Sequence, residues 1–555
     1  MAARLATLLV AAIVATTLVA GLIVGAQRDD SSGPVDLIIH NARVYAADDA
    51  GAIAEAVAIR GNKILKAGSE REVMRYRRPQ TTVVDARGAA VLPGFIDAHA
   101  SMVAGGLAAD GVALFGASSL DEIRERIDSF VAAHPDAAWI SGTGWSYDAV
   151  SDPTRAQLDA ILSDRPAMLR SLDGQSLWLN TKALAEARIT RRTPAPKNGA
   201  IVRDRRGEPT GVLKGSAMAL AERAAPRAAR EDRSKALQTA IRAAQRHGIT
   251  SVHDVGAAPD DLDLYDAARE GGTLGVRVYA SVPAAATAAA DLDAIARRFP
   301  DDPLLKTGLA AIRLDGSVES QGAALLTPYS PRGDGDGMLL VSPAELSRMV
   351  STLAAHGWQV AISASGDRGV RVALDALGAA PAAPARPKGS RHRIEQVVLV
   401  DAADVPRFGA LGIVASMQPL HAAADPLATW SRNLGPDRAP LGWPAHTLSA
   451  AGAHLAFGSD WPDLPLDPLA GIRAAVARAD GQTAEQLTLK SAINAWTSAA
   501  AWASFDEHRK GSIKPDMLAD LVVLSTDIFA SRAKLEAAEV VMTIFDGKVV
   551  YRRPS

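Results

Sequence analysis

The stretch Gly94-Phe95-Ile96-Asp97-Ala98-His99-Ala100-Ser101 is the part of the sequence that best predicts the fold. Alternate residues of a β-strand point to the same face, so His99 and Ser101 would share one environment. Two histidines at this spacing are typical of a strand that binds a metal ion, and here serine takes the second place. Because a neutral hydroxyl is a far poorer zinc ligand than imidazole, we expect a metal-site strand that has lost part of its ligand set.

Composition places this strand in a large globular protein. The chain has 555 residues, 48% of them apolar, which is enough for one large domain and a smaller one. It carries 60 basic and 62 acidic residues without a long block of one sign, so no nucleic-acid partner is indicated. The absence of cysteine excludes disulfides, thiolate-bound metals and a cysteine nucleophile.

The N-terminus predicts export. Arg4 precedes an uninterrupted apolar and threonine-containing stretch at 5–26, which is long enough to span a bilayer. A cleaved signal peptide at 1–26 and an uncleaved membrane anchor both fit, and the charges on either side place the body on the outer or periplasmic face. Residues 27–35 have the composition of a linker.

The remaining chain divides into β-rich ends and an alternating centre. Short β-branched runs at 36–90 and again at 506–555 predict two segments of one small β-sandwich domain. Between them, at 91–505, apolar strands alternate with alanine-rich helices, which is typical of an α/β fold with parallel strands. The length favours a (β/α)8 TIM-like barrel with insertions. A doubly wound sheet is the alternative, but no glycine-rich phosphate turn follows a strand.

Chemistry in such a barrel takes place where strands end, so polar residues after apolar runs are the candidates. They are His99, Ser101, Gln175, Arg313, Ser363, His392, Gln396, His421 and Asp460, and Trp145 and Trp461 are candidates for stacking on a substrate. Each also has a structural interpretation. The histidines can be hydrogen-bonded wall residues, Asp460 can be a structural carboxylate, and the tryptophans can be core residues.

Several motifs occur together in order along the chain and show a resemblance to a known family. They are VLPGFIDAHAS at 91–101, RPAMLRSLDGQSLWLNTKAL at 165–184, GWQVAISASGDRGV at 357–370, RHRIEQ at 391–396, SMQPLHAAAD at 416–425, LAFGSDWPDLPLDPL at 455–469 and RKGSIKPDMLADLVVL at 509–524. From about Asp36 to Val550 the chain resembles the amidohydrolase superfamily, in the branch called amidohydrolase family 3 that includes N-substituted formamide deformylase.

The resemblance implies a metal site at the mouth of a barrel, with a defined ligand set. The family's His-x-His pair falls on His99 and Ser101, its carboxylated lysine on Ala311, and its aspartate on Asp460. Its two later histidines fall on Ser363 and Gln396, and a further active-site histidine falls on Gln175. Only His99 and Asp460 are retained, so the resemblance implies a divalent metal such as zinc, while the residues predict at most a weak site.

Three functions follow. The first is hydrolysis of C–N bonds in amides or cyclic amides, with His99 and Asp460 holding a weakly bound metal. The second is metal-independent hydrolysis of lactones or esters, with Asp460 as base. The third is a catalytically inactive barrel that binds a small ligand or a protein partner. The substrate and the oligomeric state do not follow from the sequence.

Overall fold

The computed structural model describes residues 35–554 apart from 48–52, 285–288, 300, 331–334, 382–388, 424–426 and 479–481. The predicted signal or anchor segment at 1–26 and the predicted linker, except for Val35, lie outside the described residues. None of the helices in the described part of the chain is both long enough and apolar enough to cross a bilayer.

Eight parallel strands form the largest sheet, and neighbours along the chain are neighbours in the sheet. They are β1 (Phe95–Ala100), β2 (Ile249–Asp254), β3 (Arg277–Pro283), β4 (Leu305–Arg313), β5 (Gln359–Ser363), β6 (Arg393–Glu395), β7 (Val414–Met417) and β8 (His454–Phe457). β2 is buried throughout and β5 at all positions but Ser363, as is usual for parallel strands that are covered on both faces.

The first and last strands of this sheet meet just beyond their carboxyl ends. The backbone N–H of Asp460 donates to the carbonyl of His99 at 2.9 Å, and that of Ser101 donates to the carbonyl of Trp461 at 2.9 Å. Gly458 permits the approach, because a Cβ there would lie 2.4 Å from the backbone nitrogen of His99. The sheet is thereby nearly closed, and the predicted TIM-like barrel is confirmed.

Helices follow the barrel strands and cover the sheet. They are Met102–Ala108, Arg230–Arg246, Pro259–Glu270, Ala289–Arg298, Pro343–Ala355, Asp367–Gly378, Val405–Leu411, Leu420–Ala423, Leu427–Leu434, Ala445–Ala450, Pro468–Val476, Leu489–Ala495 and Ser498–Ala503, with 3-10 turns at Ala439–Leu441 and Thr483–Glu485. In Arg230–Arg246 the buried residues Leu237, Ala240, Ile241 and Ala244 recur every three or four positions and join the main core.

A second sheet is inserted between β1 and β2. Its strands are Val112–Ala113, Ile140–Trp145, Ala167–Ser171, Ser176–Leu179, Gly199–Arg203 and Pro209–Gly215, accompanied by helices Leu120–Ala133, Arg155–Asp159, Thr181–Glu186 and Met218–Glu222. It is fixed to the loop after β4, since Asn198 Nδ2 donates to the Leu340 carbonyl at 2.9 Å and Lys214 Nζ to the Ser320 carbonyl at 3.2 Å. The sequence predicts insertions in the barrel without indicating that they form a sheet.

The two ends of the chain build the smaller β domain from two sheets. One contains Leu37–His40, Ala56–Arg60, Lys63–Gly68 and Thr82–Asp85, with helix Glu70–Met74 against it. The other contains Arg43–Tyr45, Ile53–Ala54, Ala90–Pro93, Leu521–Leu524, Val540–Phe545 and Lys548–Arg552, and helix Arg532–Glu536 lies between two of these strands in sequence. Ala90–Pro93 pairs with strands from both ends, so the predicted composite domain is present.

A buried ion pair joins the barrel to the smaller domain. Arg277 at the start of β3 contacts Asp520 through Nε at 2.6 Å and through Nη2 at 2.9 Å, and Nη2 also contacts Asp546 at 2.9 Å. Arg277 and Asp520 are almost completely buried. Removing one partner would leave an uncompensated charge in the interior.

We expect Arg277→Gln to lower the free energy of unfolding by about 3–5 kcal/mol, because Asp520 would stay buried without its guanidinium. Arg298→Gln is the matched control. Arg298 pairs with Asp263 at the surface, where an ion pair contributes below about 1 kcal/mol. Urea unfolding of the full chain measures both, and equal effects would show that the buried pair does not anchor the smaller domain.

Candidate active site

The carboxyl ends of β1, β4, β5, β6 and β8 surround a cavity of about 440 Å³. The register places Arg313 of β4 opposite Ser363 of β5, and Ser363 opposite Glu395 of β6, so these side chains lie in one layer. The structure brings most of the candidate residues to this wall, namely His99, Ser101, Gln175, Arg313, Ser363, Gln396, Asp460 and Trp461.

The carboxylate of Asp460 lies at the centre of a hydrogen-bond network. Its Oδ1 is 3.3 Å from His99 Nε2, while its Oδ2 is 2.8 Å from His421 Nε2 and accepts from Gln396 Nε2 at 3.3 Å. Ser363 Oγ donates to Gln396 Oε1 at 2.6 Å, which orients the amide. Asp460 and Gln396 both have left-handed backbones, with φ of 63° and 56°, a costly conformation for such residues that is common at functional sites.

This network fixes the charge of Asp460. Burial opposes the ionised form, but hydrogen bonds from His421 and His99 and their positive charge outweigh it and hold the pKa of the Asp460 carboxyl far below its usual range. The same contacts raise the pKa of His421 against the effect of its burial. Asp460 is therefore a permanently ionised anchor, and a carboxylate this strongly stabilised is a weak base.

His99 belongs to a chain of alternating charges that runs into the barrel. Its Nδ1 is 2.7 Å from Glu395 Oε2, and Glu395 Oε1 is 2.6 Å from Arg393 Nε. Burial opposes a charge on His99, but hydrogen bonds and charges from Asp460 and Glu395 prevail and raise its pKa to about 10. His99 is consequently an imidazolium between two carboxylates.

Arg393 also contacts His253, which is neutral, unlike the protonated His99. Arg393 Nη1 donates to His253 Nδ1 at 2.9 Å, so that nitrogen carries a lone pair. Burial, then the positive charge of Arg393, holds the pKa of His253 well below its usual range. Sequence reasoning missed Glu395 and Arg393. The signal for them was two opposite charges at alternate positions of one strand, which must share a face inside the barrel.

A second carboxylate, Asp463, lines the same cavity and was also missed. In the described part of the chain no hydrogen-bond donor reaches its side chain, in contrast to Asp460. Burial and the nearby charge of Asp460 raise the pKa of Asp463 to about 7. Gly174 packs directly against it with φ of 64°, and a Cβ there would lie 2.2 Å from Asp463 Oδ2. Its place three residues after Asp460, in the same motif, was the available signal.

Gln175 approaches the cavity from the inserted sheet. Only 8% of the residue is exposed, and its side-chain amide has no hydrogen-bond partner among the described residues. Its backbone N–H donates to Asp173 Oδ1 at 3.1 Å, and Asp173 Oδ2 accepts from Ser317 Oγ at 2.5 Å, which fixes the turn to the loop after β4. A buried amide held in this way is available to a carbonyl group in the cavity.

Three candidate residues, His392, Trp145 and His421, do not line this cavity. His392 precedes β6, is buried, and accepts the backbone N–H of Val360 at 3.0 Å through Nδ1. Trp145 is fully buried in the inserted sheet and donates from Nε1 to the Leu169 carbonyl at 3.0 Å. His392 is therefore a hydrogen-bonded wall residue, and Trp145 is a core residue of the inserted sheet. His421 reaches the site only through Asp460, and Trp461 is half-buried at the cavity wall.

Comparison with known proteins gives a consistent family. A model described as Amidohydrolase family matches residues 82–551. The Protein LONG AFTER FAR-RED 3 of Arabidopsis thaliana is 32% identical over 93% of this chain and 91% of its own length. The putative amidohydrolase YtcJ of Bacillus subtilis is 30% identical over 93% and 99%, and the N-substituted formamide deformylase of Arthrobacter pascens is 27% identical over 93% and 98%. The resemblance drawn from the motifs is confirmed.

Solved structures support the same fold. An uncharacterized metal-dependent hydrolase from Pyrococcus horikoshii superposes with a TM-score of 0.72 at 24% identity, covering 90% of this chain and 99% of that one. A counterpart from Pyrococcus furiosus gives 0.69 at 24% identity over 88% and 99%. At this identity the likeness concerns the fold alone.

Members of the matched family usually bind a divalent metal ion, so the donors in this chain must be tested against one. The described residues contain no group of three or more histidines and carboxylates placed to hold an ion. His99 and His421 both aim Nε2 at Asp460, and the ligand positions at Ser363 and Gln396 are hydrogen bonded to each other. Since metal binding needs several converging lone pairs, these residues do not fit a resident zinc ion.

At pH 7 we expect His99 to be doubly protonated, because carboxylates surround it, and His253 to be neutral, because it is buried beside the positive charge of Arg393. Long-range proton–nitrogen spectra of the histidine side chains distinguish the two states, and His99→Gln and His253→Gln assign the signals. Glu395→Gln should lower the pKa of His99 by removing one of its two carboxylates. A neutral His99 at pH 7 in the unsubstituted protein would contradict the chain of charges.

Proposed function

The chain belongs to the amidohydrolase family, and on that basis we propose that it hydrolyses the C–N bond of an amide or cyclic amide without a resident metal ion. One observation carries the proposal: the Asp463 carboxylate and the Gln175 amide, neither of which has a hydrogen-bond partner among the described residues, line the same cavity at the carboxyl ends of the barrel strands. The Asp463 carboxylate can accept a proton from water, and the Gln175 amide can donate a hydrogen bond to a carbonyl oxygen.

The catalytic base is better assigned to Asp463 than to Asp460, the base predicted from the sequence. Asp460 accepts from three side chains, and each hydrogen bond makes its carboxylate less basic. Asp463 receives none from the described residues and is partly buried, and burial and the charge of Asp460 raise its pKa more than the charges of Arg170 and Arg313 lower it. In this arrangement Asp460 and His99 position the cavity wall, and Asp463 exchanges the proton.

The reaction is balanced with these groups alone. Asp463 takes one proton from a water molecule while the water oxygen bonds to the amide carbon, and the carbonyl electron pair moves onto its oxygen. The Gln175 N–H stabilises this oxyanion. The protonated Asp463 then returns the proton to the amide nitrogen as the C–N bond breaks, so that a carboxylic acid and an amine are released.

A ligand-binding barrel without turnover is the second candidate function. The three contacts to Asp460 favour it, because the residue that the family resemblance places at the metal here holds the cavity wall together. In that case the same cavity would retain an amide-containing ligand through Gln175 without consuming it.

We expect purified protein to hydrolyse members of a panel of formamides, anilides and cyclic amides while carrying far less than one zinc ion per chain by elemental analysis. Turnover should survive dialysis against a chelator. Asp463→Asn should lower kcat by about 10²–10⁴-fold, as loss of a general base does. The surface substitution Asp263→Asn is the control.

The pH profile gives a second readout of the same assignment. Asp463 acts as base when ionised, so kcat/KM should rise with pH and level off above the pKa of about 7 that burial and Asp460 give it. Stoichiometric zinc, or activity unchanged in Asp463→Asn, would contradict the proposal. Ligand binding without turnover in any substrate class would favour the second candidate function.

We also propose that the protein acts outside the cytoplasm, on the basis of the apolar stretch at 5–26 and the charges that flank it. A fusion of residues 1–35 to alkaline phosphatase should be active in a bacterial host, and the same fusion without residues 5–26 should not be. Mass spectrometry of the mature protein distinguishes a cleaved signal peptide from a retained anchor. Phosphatase activity confined to the cytoplasmic fraction would overturn this proposal.

A further inference from the structure

A larger cavity, of about 690 Å³, lies between the inserted sheet and the end of β4. One wall comes from strands Gly199–Arg203 and Pro209–Gly215, and the other from Arg313 and the loop that follows it. Gln175 and Arg313 line both this cavity and the smaller one that contains Asp463. The two spaces therefore meet at these two side chains, and one elongated molecule can occupy both.

The wall of the larger cavity is basic. It contains Arg170, Lys197, Lys214 and Arg313, and its one carboxylate is Glu222. Glu222 is already paired with Arg170 at 2.5 Å. In the part of the chain that the structure describes, Lys197, Lys214 and Arg313 have no carboxylate within ion-pair distance. Three positive charges thus line the cavity without a carboxylate of the described residues at ion-pair distance.

Contacts with other residues hold Lys214 in position at the cavity wall. It is half-buried, its Nζ donates to the Ser320 carbonyl at 3.2 Å, and it lies 5.6 Å from the centre of the Tyr147 ring. Asp173, whose charge acts on Lys214 more strongly than that of Asp152, already accepts hydrogen bonds from Ser171 and Ser317. A partly desolvated ammonium with one neutral acceptor gains more from an anion than a fully hydrated one does.

The remaining lining is apolar, from Met218, Met338 and Leu340. We propose that this second cavity binds the carboxylate end of the substrate, with Arg313 and Lys214 as its partners, so that the substrate is an amide joined by a short hydrocarbon spacer to an acid group. The inference rests on the proposed hydrolysis, because it places the amide at Gln175 and Asp463 and the acid beyond them.

Arg313 is then the residue that determines specificity. It stands at the junction of the two cavities, and its planar guanidinium can bind a carboxylate with two parallel hydrogen bonds. A neutral amide of the same length would displace water from Arg313 and Lys214 without supplying a negative charge in its place, so its contacts with them would be weaker.

Binding of matched probes tests the proposal independently of turnover. The probes are N-acetylglycine, N-acetyl-γ-aminobutyrate and N-acetyl-ε-aminocaproate, each compared with its uncharged primary carboxamide by calorimetry on the full-length protein. We expect at least one acid to bind about ten-fold more tightly than its carboxamide, with a preference that weakens as salt is added.

Arg313→Gln and Lys214→Gln should each reduce this preference, and the double substitution should abolish it. Lys235→Gln is the matched control, because Lys235 is 79% exposed on helix Arg230–Arg246, away from either cavity. Unchanged melting temperatures would show that the substituted proteins are folded. A preference that survives the double substitution, or equal binding of every acid and its carboxamide, would overturn the assignment.

The outcomes also separate this inference from the proposed function. If acids bind preferentially and none of the probes is hydrolysed, the result supports the carboxylate site and contradicts the proposed hydrolysis. If neutral amides are hydrolysed as well as the acids and bound equally, hydrolysis stands and the carboxylate site is wrong.

Discussion

A buried carboxylate that has to be neutralised controls the architecture of the site. Asp460 follows the last barrel strand, where its charge cannot be solvated by bulk water, and its partners come from three other parts of the chain. In water those contacts would be worth little, but in the interior an unpaired carboxylate costs several kcal/mol. The positions of β1, β6 and the segment after β7 are therefore tied to one another through this group.

The same constraint explains how the residues around Asp460 are ordered. Arg393, Glu395, His99 and Asp460 alternate in sign, so each buried charge faces an opposite one. His421 and Gln396 each contact Asp460 Oδ2 as well. In the matched family a metal ion usually supplies positive charge at the mouth of the barrel; here protonated imidazole and amide N–H groups supply it, and Ser363 and Gln396 pair with each other.

The inserted sheet forms one wall of the site. Its Asp-Gly-Gln turn brings Gln175 over the barrel, and its strands form the basic wall opposite Arg313. Hydrogen bonds from Asn198 and Lys214 to the loop after β4 hold this sheet in place. The barrel thus provides the carboxylates and Arg313, and the insertion provides Gln175 and Lys214, an arrangement typical of loops carried on a rigid scaffold.

The sequence by itself determined the fold, and its family resemblance predicted which ligand positions are retained and which are replaced. Alternating strands and helices predicted the barrel, and the β-rich ends predicted a composite domain, because these patterns are local and periodic. His99, Ser363, Gln396 and Asp460 were assigned through motifs that resemble those of a known family. Only the tertiary structure revealed that Glu395 contacts His99, that Asp463 accepts no hydrogen bond from the described residues, and that Arg313 lines two cavities. These relations link residues far apart in sequence, and pairing across a barrel depends on strand register, which no local pattern records.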